Sequence, residues 1–262
     1  MTFHSRTTIS VLLTTACLSA HAAEWQARPD WSELFGAGVD GTIVVVDERT
    51  HFRYEYRPER AAERFSPAST FKVPHTLFAL DAGLVNDELQ VFTWDGERRT
   101  ISSWNRDQTL RTAMRDSAVW LYQAFARDIG EQVAREYLEA IEYGNAESSA
   151  SVDRFWLDGT LLISAREQVE LLVRLDRNEL PFSVAHQRLV KDLMLVETRP
   201  DTILRAKTGW QAQAQVGWWV GWVERPEGAV FFALNIDMPN GAADLPKRES
   251  IARAVLTSIG AL

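Results

Sequence analysis

The sequence predicts an α+β fold, in which an antiparallel β-sheet flanked by helices is built from both ends of the chain. Two observations lead to this prediction. Strand patterns separated by turn residues occur near both termini, at 41–56 and 215–237, whereas helical periodicity dominates the middle of the chain. We therefore expect a signal peptide at 1–22, a sheet-and-helix domain at 23–65 plus 166–262, and an inserted, mainly helical domain at 66–165.

The first 22 residues have the pattern of a secretory signal peptide. Arg6 precedes an apolar and small-residue run at 9–20, and Ala20-His21-Ala22 is a small-x-small cleavage site. We expect the mature chain to start near Ala23 and to be periplasmic. The apolar run is too short to span a bilayer, so we expect no membrane contact once the signal is removed.

Cys17 is the only cysteine, and it lies inside this N-terminal segment. A lipoprotein signal is the alternative, but Thr14-Thr15-Ala16 before the cysteine matches such a signal poorly. The mature protein is therefore expected to contain no disulfide and no cysteine-built metal site.

The remaining elements follow from periodicity and turn residues, taken in chain order. An amphipathic helix is predicted at 25–37, a β-hairpin with strands at 41–46 and 51–56, and a polar connection at 57–65. Further helices are predicted at 69–83, 110–129, 131–141, 164–175 and 183–195. Strands are predicted at 203–208, 215–223 and 229–237, and a closing helix at 246–256. The cluster Trp218, Trp219 and Trp222 is expected to pack in the core and on the sheet faces.

Charge composition narrows both the partners and the chemistry. The chain has 28 basic and 36 acidic residues, and its net charge of −8 becomes −9 without Arg6. Nucleic acid is therefore not an expected partner, and neither is an anionic membrane. Only four basic residues are lysines, and a desolvated lysine can lose its proton whereas arginine cannot. Lys72 and Lys207 are thus candidates for chemistry rather than surface charge.

Ser69-Thr70-Phe71-Lys72 is the first candidate catalytic motif. A helix opening near Ser69 would place Lys72 on the same face of its first turn, where side chains three residues apart meet. A serine nucleophile needs a base within reach and backbone N–H groups near the developing oxyanion. This placement supplies both.

Three further motifs lie downstream. Lys207-Thr208-Gly209 follows a predicted strand, so Gly209 would let a ligand approach the backbone closely. Ser117-Ala118-Val119 opens a helical run, and the hydroxyl of Ser117 could relay a proton. Tyr143-Gly144-Asn145 follows a helix end.

The order and separation of these four motifs resemble those of the class D (oxacillinase-type) serine β-lactamases, and the resemblance extends from about Gly41 to the C-terminal helix. It implies a serine β-lactamase/penicillin-binding-protein-like fold. It also implies hydrolysis of β-lactam antibiotics through a serine acyl-enzyme. No metal or cofactor is implied beyond a CO₂-derived carbamate on Lys72 (N6-carboxylysine).

The resemblance also assigns catalytic roles. Ser69 would be the acylated nucleophile, and carboxylated Lys72 would act as general base in acylation and deacylation. Trp156, within Phe155-Trp156-Leu157, would hydrogen-bond the carbamate, and Ser117 would relay protons to the leaving nitrogen. The physics agrees, because only a neutral amine reacts with CO₂ and apolar neighbours lower the pKa of a lysine.

Substrate binding is assigned in the same way. Lys207, Thr208 and Arg248 would hold the substrate carboxylate, and an arginine fork suits both oxygens of a carboxylate. The oxyanion hole would be formed by the backbone N–H groups of Ser69 and Trp210. The full set of implied substrate-binding residues is Val119, Tyr143, Asn145, Thr208, Gly209, Trp210 and Arg248.

Two alternatives remain beside the hydrolase. A β-lactam sensor domain would share the motifs but hold the acyl adduct, and it would need a spanning segment that the sequence lacks after the signal. A cell-wall transpeptidase is disfavoured, because Ser117-Ala118-Val119 stands where such enzymes carry S-x-N. The substrate range, which we expect residues 211–216 to shape, stays open, as does the formation of a homodimer. His51, His75 and His186 lack metal-ligand spacing and are interpreted as surface or core residues.

Overall fold

The structure is a computed structural model, and it describes residues 24–262. The predicted signal peptide and Cys17 therefore lie outside the described residues. The strands are β1 Trp25–Ala27, β2 Gly41–Asp47, β3 Phe52–Tyr56, β4 Arg64–Phe65, β5 Ile163–Ser164, β6 Leu195–Arg199, β7 Thr202–Gln211, β8 Val216–Glu224 and β9 Val230–Asp237. The α-helices are α1 Ser32–Phe35, α2 Pro58–Ala62, α3 Lys72–Asp81, α4 Leu110–Asp116, α5 Val119–Ile129, α6 Glu131–Ala140, α7 Ala165–Asp176, α8 Val184–Leu193 and α9 Leu245–Ser258.

Seven strands form the central sheet in the order β1-β3-β2-β9-β8-β7-β6. All neighbours are antiparallel except β1 and β3. The strands come from the two ends of the described chain, because β3 ends at Tyr56 and β6 begins at Leu195. The predicted α+β fold with an antiparallel sheet flanked by helices is confirmed.

The sheet separates two hydrophobic clusters. The larger cluster contains the buried side chains of α3, α5 and α7, and the smaller one contains those of α1 and α9. Alternation along β8 sends Trp218 and Trp222 into the larger cluster and Trp219 into the smaller one. All three indoles are buried, so the expectation that this cluster packs in the core is confirmed.

The predicted helix at 25–37 is wrong for most of its length. Residues Trp25–Ala27 form β1, a 3₁₀ turn spans Pro29–Trp31, and only Ser32–Phe35 is α-helical. The strand forms because β3 offers a free edge, to which β1 pairs in parallel. The guanidinium of Arg53 also lies 5.0 Å from the ring of Trp25. Helical periodicity in the sequence carries no information about whether a sheet edge is available for pairing.

Residues 110–129 form two helices rather than the single predicted one. Ser117 has φ of 55°, in the left-handed region, and so ends α4. The N–H of Ala118 closes the helix end by donating to the carbonyl of Ala113 at 3.0 Å. After this break α5 begins at Val119. The break places the Ser117 hydroxyl at the end of a helix instead of on its side.

Smaller differences concern the connections. The predicted polar connection at 57–65 contains α2 and β4, and the predicted helix at 183–195 ends at Leu193 so that β6 can pair with β7. The capping box of α7 is confirmed, because the N–H of Ser164 donates to Glu167 Oε2 at 2.8 Å and Ser164 Oγ accepts from the N–H of Glu167. Among residues 24–262, no helix is both long enough and apolar enough to cross a bilayer.

Candidate active site

Ser69 lies in a 3₁₀ turn, Ala68–Phe71, that leads directly into α3. We call these four residues the Ser69 turn. Ala68 has φ of 48°, a left-handed conformation that costs a non-glycine residue about 1–3 kcal/mol and persists only when its surroundings enforce it. Thr70 Oγ1 donates to the carbonyl of Pro67 at 2.7 Å, and Gln168 Nε2 on α7 donates to Thr70 Oγ1 at 2.8 Å. Both contacts are buried and hold the turn in this conformation.

The amine of Lys72 lies 3.0 Å from Ser69 Oγ, as the spacing of the two residues predicts. Lys72 is fully buried. Burial, and then the charge of Lys207, lower the pKa of the Lys72 amine well below its usual value. The lowered pKa favours the neutral form of the amine, which can accept a proton from the serine or react with an electrophile.

Aromatic side chains enclose Lys72. Its Nζ lies 5.0 Å from the centre of the Tyr122 ring, and Phe71 contacts Trp156 with ring centres 5.7 Å apart. Trp156 is fully buried, yet its indole Nε1 has no hydrogen-bond partner within the part of the chain that the structure describes. A buried N–H without an acceptor is unfavourable. A carboxylate on Lys72 would add an acceptor to this aromatic cluster, so the unpaired N–H fits a carboxylated lysine.

A second lysine lies across the site. Lys207 Nζ on β7 donates to Ser117 Oγ at 2.6 Å and to the carbonyl of Thr208 at 3.0 Å. Burial, and then the charge of Arg248, lower the pKa of Lys207 to about 7. The left-handed conformation of Ser117 brings its hydroxyl to this lysine from the end of α4. Residues 117 and 207 are thus joined although they are 90 positions apart.

Arg248 comes to the site from α9. Its Nη1 donates to the carbonyl of Gly209 at 2.7 Å, and its Nε donates to the carbonyl of Leu245 at 2.9 Å. Only 8% of the residue is exposed, and burial lowers its pKa. Gly217 on β8 leaves room for the Arg248 side chain, because a Cβ at Gly217 would lie 2.8 Å from Arg248 Cδ. No ion pair engages this guanidinium among the described residues.

Gly209 lies against the Ser69 turn and the residue before it. A Cβ at this position would lie 2.8 Å from the carbonyl oxygen of Pro67 and 3.1 Å from Thr70 Cγ2. The glycine therefore lets β7 approach the Ser69 turn. The Ser69 turn and β7 can approach this closely because residue 209 has no side chain.

The side chains of Tyr143 and Asn145 contact other residues of the protein. Tyr143 is buried, with its ring 5.4 Å from that of Phe71. Asn145 is exposed, and its Nδ2 donates to the carbonyl of Thr160 at 2.8 Å while its Oδ1 accepts from the N–H of Leu162 at 2.9 Å. The amide therefore holds the segment that follows Trp156.

Val119 and Trp210 are half-buried, and each lies within three positions of a residue of the Ser117–Lys207 pair. Val119 begins α5, two residues after Ser117. Trp210 lies on β7 next to Gly209, and its indole Nε1 has no partner among the described residues. Thr208 is also half-buried, with its Oγ1 3.5 Å from Lys207 Nζ.

Comparison with known proteins identifies the family. The family model for the penicillin-binding protein transpeptidase domain matches residues 41–257. β-Lactamase OXA-20 of Pseudomonas aeruginosa is 60% identical over 236 residues, 89% of this chain and 88% of the relative. β-Lactamase OXA-2 of Salmonella typhimurium is 58% identical over 247 residues, 93% of this chain and 89% of the relative. The crystal structure of FUS-1 (OXA-85), a class D β-lactamase from Fusobacterium nucleatum subsp. polymorphum, is 38% identical with a TM-score of 0.87, and the match covers 90% of this chain and all of that one.

The chain belongs to the class D serine β-lactamases. The family resemblance drawn from the four motifs is confirmed, and the protein is a hydrolase of this class. Class D β-lactamases need no metal cofactor. Within residues 24–262, no group of three or more His, Cys, Asp or Glu side chains is placed to hold a metal ion.

The structure of this class D β-lactamase adds residues that the sequence did not single out. Ser66 Oγ donates to the carbonyl of Trp156 at 2.9 Å, and the carbonyl of Ser66 accepts from Trp218 Nε1 at 2.9 Å. Gln168 bonds the Ser69 turn, and His75 lies in the aromatic pocket beside Lys72. Of these residues, only Ser66 could have been suspected of supporting the Ser69 turn from the sequence, because it lies three positions before Ser69. The contacts of Gln168 with Thr70 and of His75 with Trp156 join residues remote in sequence.

Proposed function

We propose that this β-lactamase opens the amide bond of β-lactam antibiotics through an acyl-enzyme on Ser69, with N-carboxylated Lys72 as general base. One observation carries the proposal. The amine of Lys72 is buried, has a lowered pKa and lies 3.0 Å from Ser69 Oγ, in an aromatic pocket with the indole N–H of Trp156, which has no partner among residues 24–262. The carbamate would supply an anionic oxygen base at this position, and Trp156 would hold it through the indole N–H.

The chain's own groups account for acylation. Ser69 Oγ gives its proton to the base at Lys72 and forms a bond to the carbonyl carbon of the substrate. The backbone N–H groups of Ser69 and Trp210 stabilise the oxyanion that develops. As the ring C–N bond breaks, Ser117 delivers a proton to the leaving nitrogen. Its hydroxyl can be resupplied by Lys207, which lies 2.6 Å away.

The basic groups around β7 account for substrate binding. Lys207, Thr208 and Arg248 would hold the carboxylate of the antibiotic beside the acylated serine. Arg248 is buried but not ion-paired among the described residues, and such a charge favours an anionic ligand. Lys207 shares this region, and its low pKa reflects burial and the charge of Arg248. An anionic substrate would relieve that repulsion.

Hydrolysis of a chromogenic cephalosporin in excess tests the activity. Sustained turnover is expected, because the base at Lys72 can also activate the water that releases the acyl group. A single burst equal to the amount of protein would instead indicate a sensor that retains its adduct. In a second experiment, turnover should fall on mild acidification and recover when bicarbonate is added, since protonation of the amine drives off CO₂. A rate that ignores bicarbonate at every pH would contradict the carboxylated base.

We also propose that the protein acts in the periplasm after cleavage near Ala23. The N-terminal pattern of Arg6, the apolar run and Ala20-His21-Ala22 supports this proposal. N-terminal sequencing of the protein from a periplasmic extract would test it, and a start at Met1 would contradict it.

A further inference from the structure

His75 is a buried polar residue for which the mechanism above has no use. It lies on α3, three positions after Lys72 and therefore on the same face of the helix. Only 1% of the residue is exposed, and its Nδ1 has no hydrogen-bond partner among the described residues. Buried polar nitrogens are normally paired. A histidine that only filled space in the core would be expected to bond a backbone carbonyl or a neighbouring hydroxyl.

The surroundings of His75 are those of the Lys72 amine. The ring centre of His75 lies 5.0 Å from that of Trp156, in an edge-on arrangement, and 5.4 Å from that of Tyr122. Tyr122 is the ring that lies 5.0 Å from Lys72 Nζ. Trp156 and His75, whose buried nitrogens have no partner within residues 24–262, are therefore in contact, and His75 shares the Tyr122 ring with the Lys72 amine. A single hydrogen-bond acceptor at Lys72 would satisfy both.

The charges in the pocket favour this interpretation. Burial, and then the neighbouring Lys72, lower the pKa of His75 to about 3, so the imidazole is neutral. A neutral imidazole carries one N–H donor. Tyr122 is also neutral, since burial raises the pKa of its hydroxyl, which hydrogen-bonds Thr76 Oγ1 at 2.9 Å. Addition of the Lys72 nitrogen to the carbon of CO₂, with loss of one proton to solvent, would place an anion among these neutral groups.

We propose that His75 is a second hydrogen-bond donor to carboxylated Lys72, beside Trp156, and that it strengthens the binding of CO₂ by this site. The inference rests on the proposed function. It goes further because it states that His75 raises the affinity of Lys72 for CO₂. That affinity determines how much of the enzyme is active at a given bicarbonate concentration. His75 positions the base and does not itself contact the substrate.

The matched variants His75→Leu and His75→Asn test the donor. Leucine fills a similar space without a donor, whereas the amide N–H of asparagine lies near the position of Nδ1. The carbamate is observed by ¹³C NMR as labelled bicarbonate is added. We expect His75→Leu to need about tenfold more bicarbonate for half-saturation, because a hydrogen bond to an anion is lost. We expect His75→Asn to stay within about threefold of the native enzyme.

Each outcome separates the two proposals. Absence of a carbamate signal in the native enzyme would overturn the proposed function. A native signal with unchanged affinity in His75→Leu would overturn only the role of His75. Equal losses in both variants would also overturn that role, since the effect would then come from packing and not from a donor.

A second measurement needs no variant at His75. In ¹⁵N-histidine-labelled native enzyme, bicarbonate should shift the Nδ1 resonance of His75, because that nitrogen gains an acceptor. The Lys72→Ala variant is the control and should show no shift. An unchanged Nδ1 resonance in native enzyme that is carboxylated by the ¹³C criterion would overturn the inference.

Discussion

The amine of Lys72 shows how one residue depends on its surroundings. A lysine is usually charged at neutral pH, but this one is fully buried and its pKa is lowered well below the usual value. The depression has two sources, burial first and the charge of Lys207 second. The lowered pKa favours the uncharged amine, and only that form can serve as a base or react with CO₂. The same residue exposed on a helix surface could do neither.

The Lys72→Arg substitution removes the reactive amine but keeps a basic side chain. Arginine is always charged and cannot be carboxylated, so kcat should fall by about 10²–10⁴-fold, the usual contribution of a general base. Steady-state hydrolysis of a chromogenic cephalosporin measures this, with circular dichroism to confirm folding. A folded variant that keeps a near-native rate would remove Lys72 from the mechanism.

The pH dependence of kcat/KM should follow the ionisation of the Lys207 amine. Its pKa is lowered to about 7, so in free enzyme the amine is charged below that pH and neutral above it. Binding of the substrate carboxylate should weaken as the charge is lost, and kcat/KM should therefore decline above pH 7 with saturating bicarbonate. In Lys207→Arg the charge persists, so this decline should disappear. The same basic limb in both enzymes would contradict the assignment.

At the scale of elements, the site is a junction between segments that secondary structure alone does not bring together. The Ser69 turn bonds α7 through Gln168 and contacts β7 at Gly209. Ser66 joins the turn to the Trp156 segment and to β8. The position of Ser69 Oγ therefore depends on α7, β7, β8 and the backbone of Trp156. A change at any of these contacts is expected to alter the reaction without touching the substrate.

The pair Gln168→Leu and Gln187→Leu tests this dependence. Both glutamines are buried, but Gln168 holds the Ser69 turn whereas Gln187 on α8 bonds Leu180 and Phe182. Each change leaves buried polar groups unpaired and should cost about 1–3 kcal/mol in the free energy of unfolding. Only Gln168→Leu should lower kcat, by about tenfold, because it displaces the nucleophile. Urea denaturation and steady-state rates measure the two effects, and equal kcat values in the two variants would contradict the positioning role.

At the scale of the whole molecule, the sheet is the frame that brings distant motifs together. β7 and β8 carry Lys207 and Trp218 from the C-terminal half of the chain to the Ser69 turn and Ser117. Residues 24–262 contain every proposed site residue. The N-terminal segment contributes none of them, so export and catalysis should be separable.

Deletion of residues 2–22 tests this separation. The purified protein should keep a native kcat, because every proposed site residue lies within residues 24–262. Cells that express it should lose protection against a penicillin, since the enzyme no longer reaches the periplasm. Cell fractionation and growth at increasing penicillin concentration provide the measurements. Undiminished protection with the enzyme confined to the cytoplasm would contradict a periplasmic function.

Local sequence predicted a large part of the fold. The hairpin at the N-terminal end, the helix α7 with its capping box, and the strands β8 and β9 follow from periodicity and turn residues, which act over a few positions. The failures occur where partners are remote. β1 and β6 form because a sheet edge is available to each, and the helix at 110–129 breaks at Ser117, whose hydroxyl meets Lys207. Short segments have no intrinsic preference strong enough to reveal such partners.

The sequence by itself determined that Ser69 and Lys72 meet, because residues three apart at the start of a helix share one face, and the order of the motifs was enough to indicate the family. The tertiary structure alone decided that the pKa of the Lys72 amine is lowered. Its lowered pKa comes first from burial, among rings contributed by distant segments such as Tyr122 and Trp156. The approach of β7 to the Ser69 turn likewise depends on packing at Gly209. Desolvation sums contributions from the whole surroundings of a group, and no short stretch of sequence contains that sum.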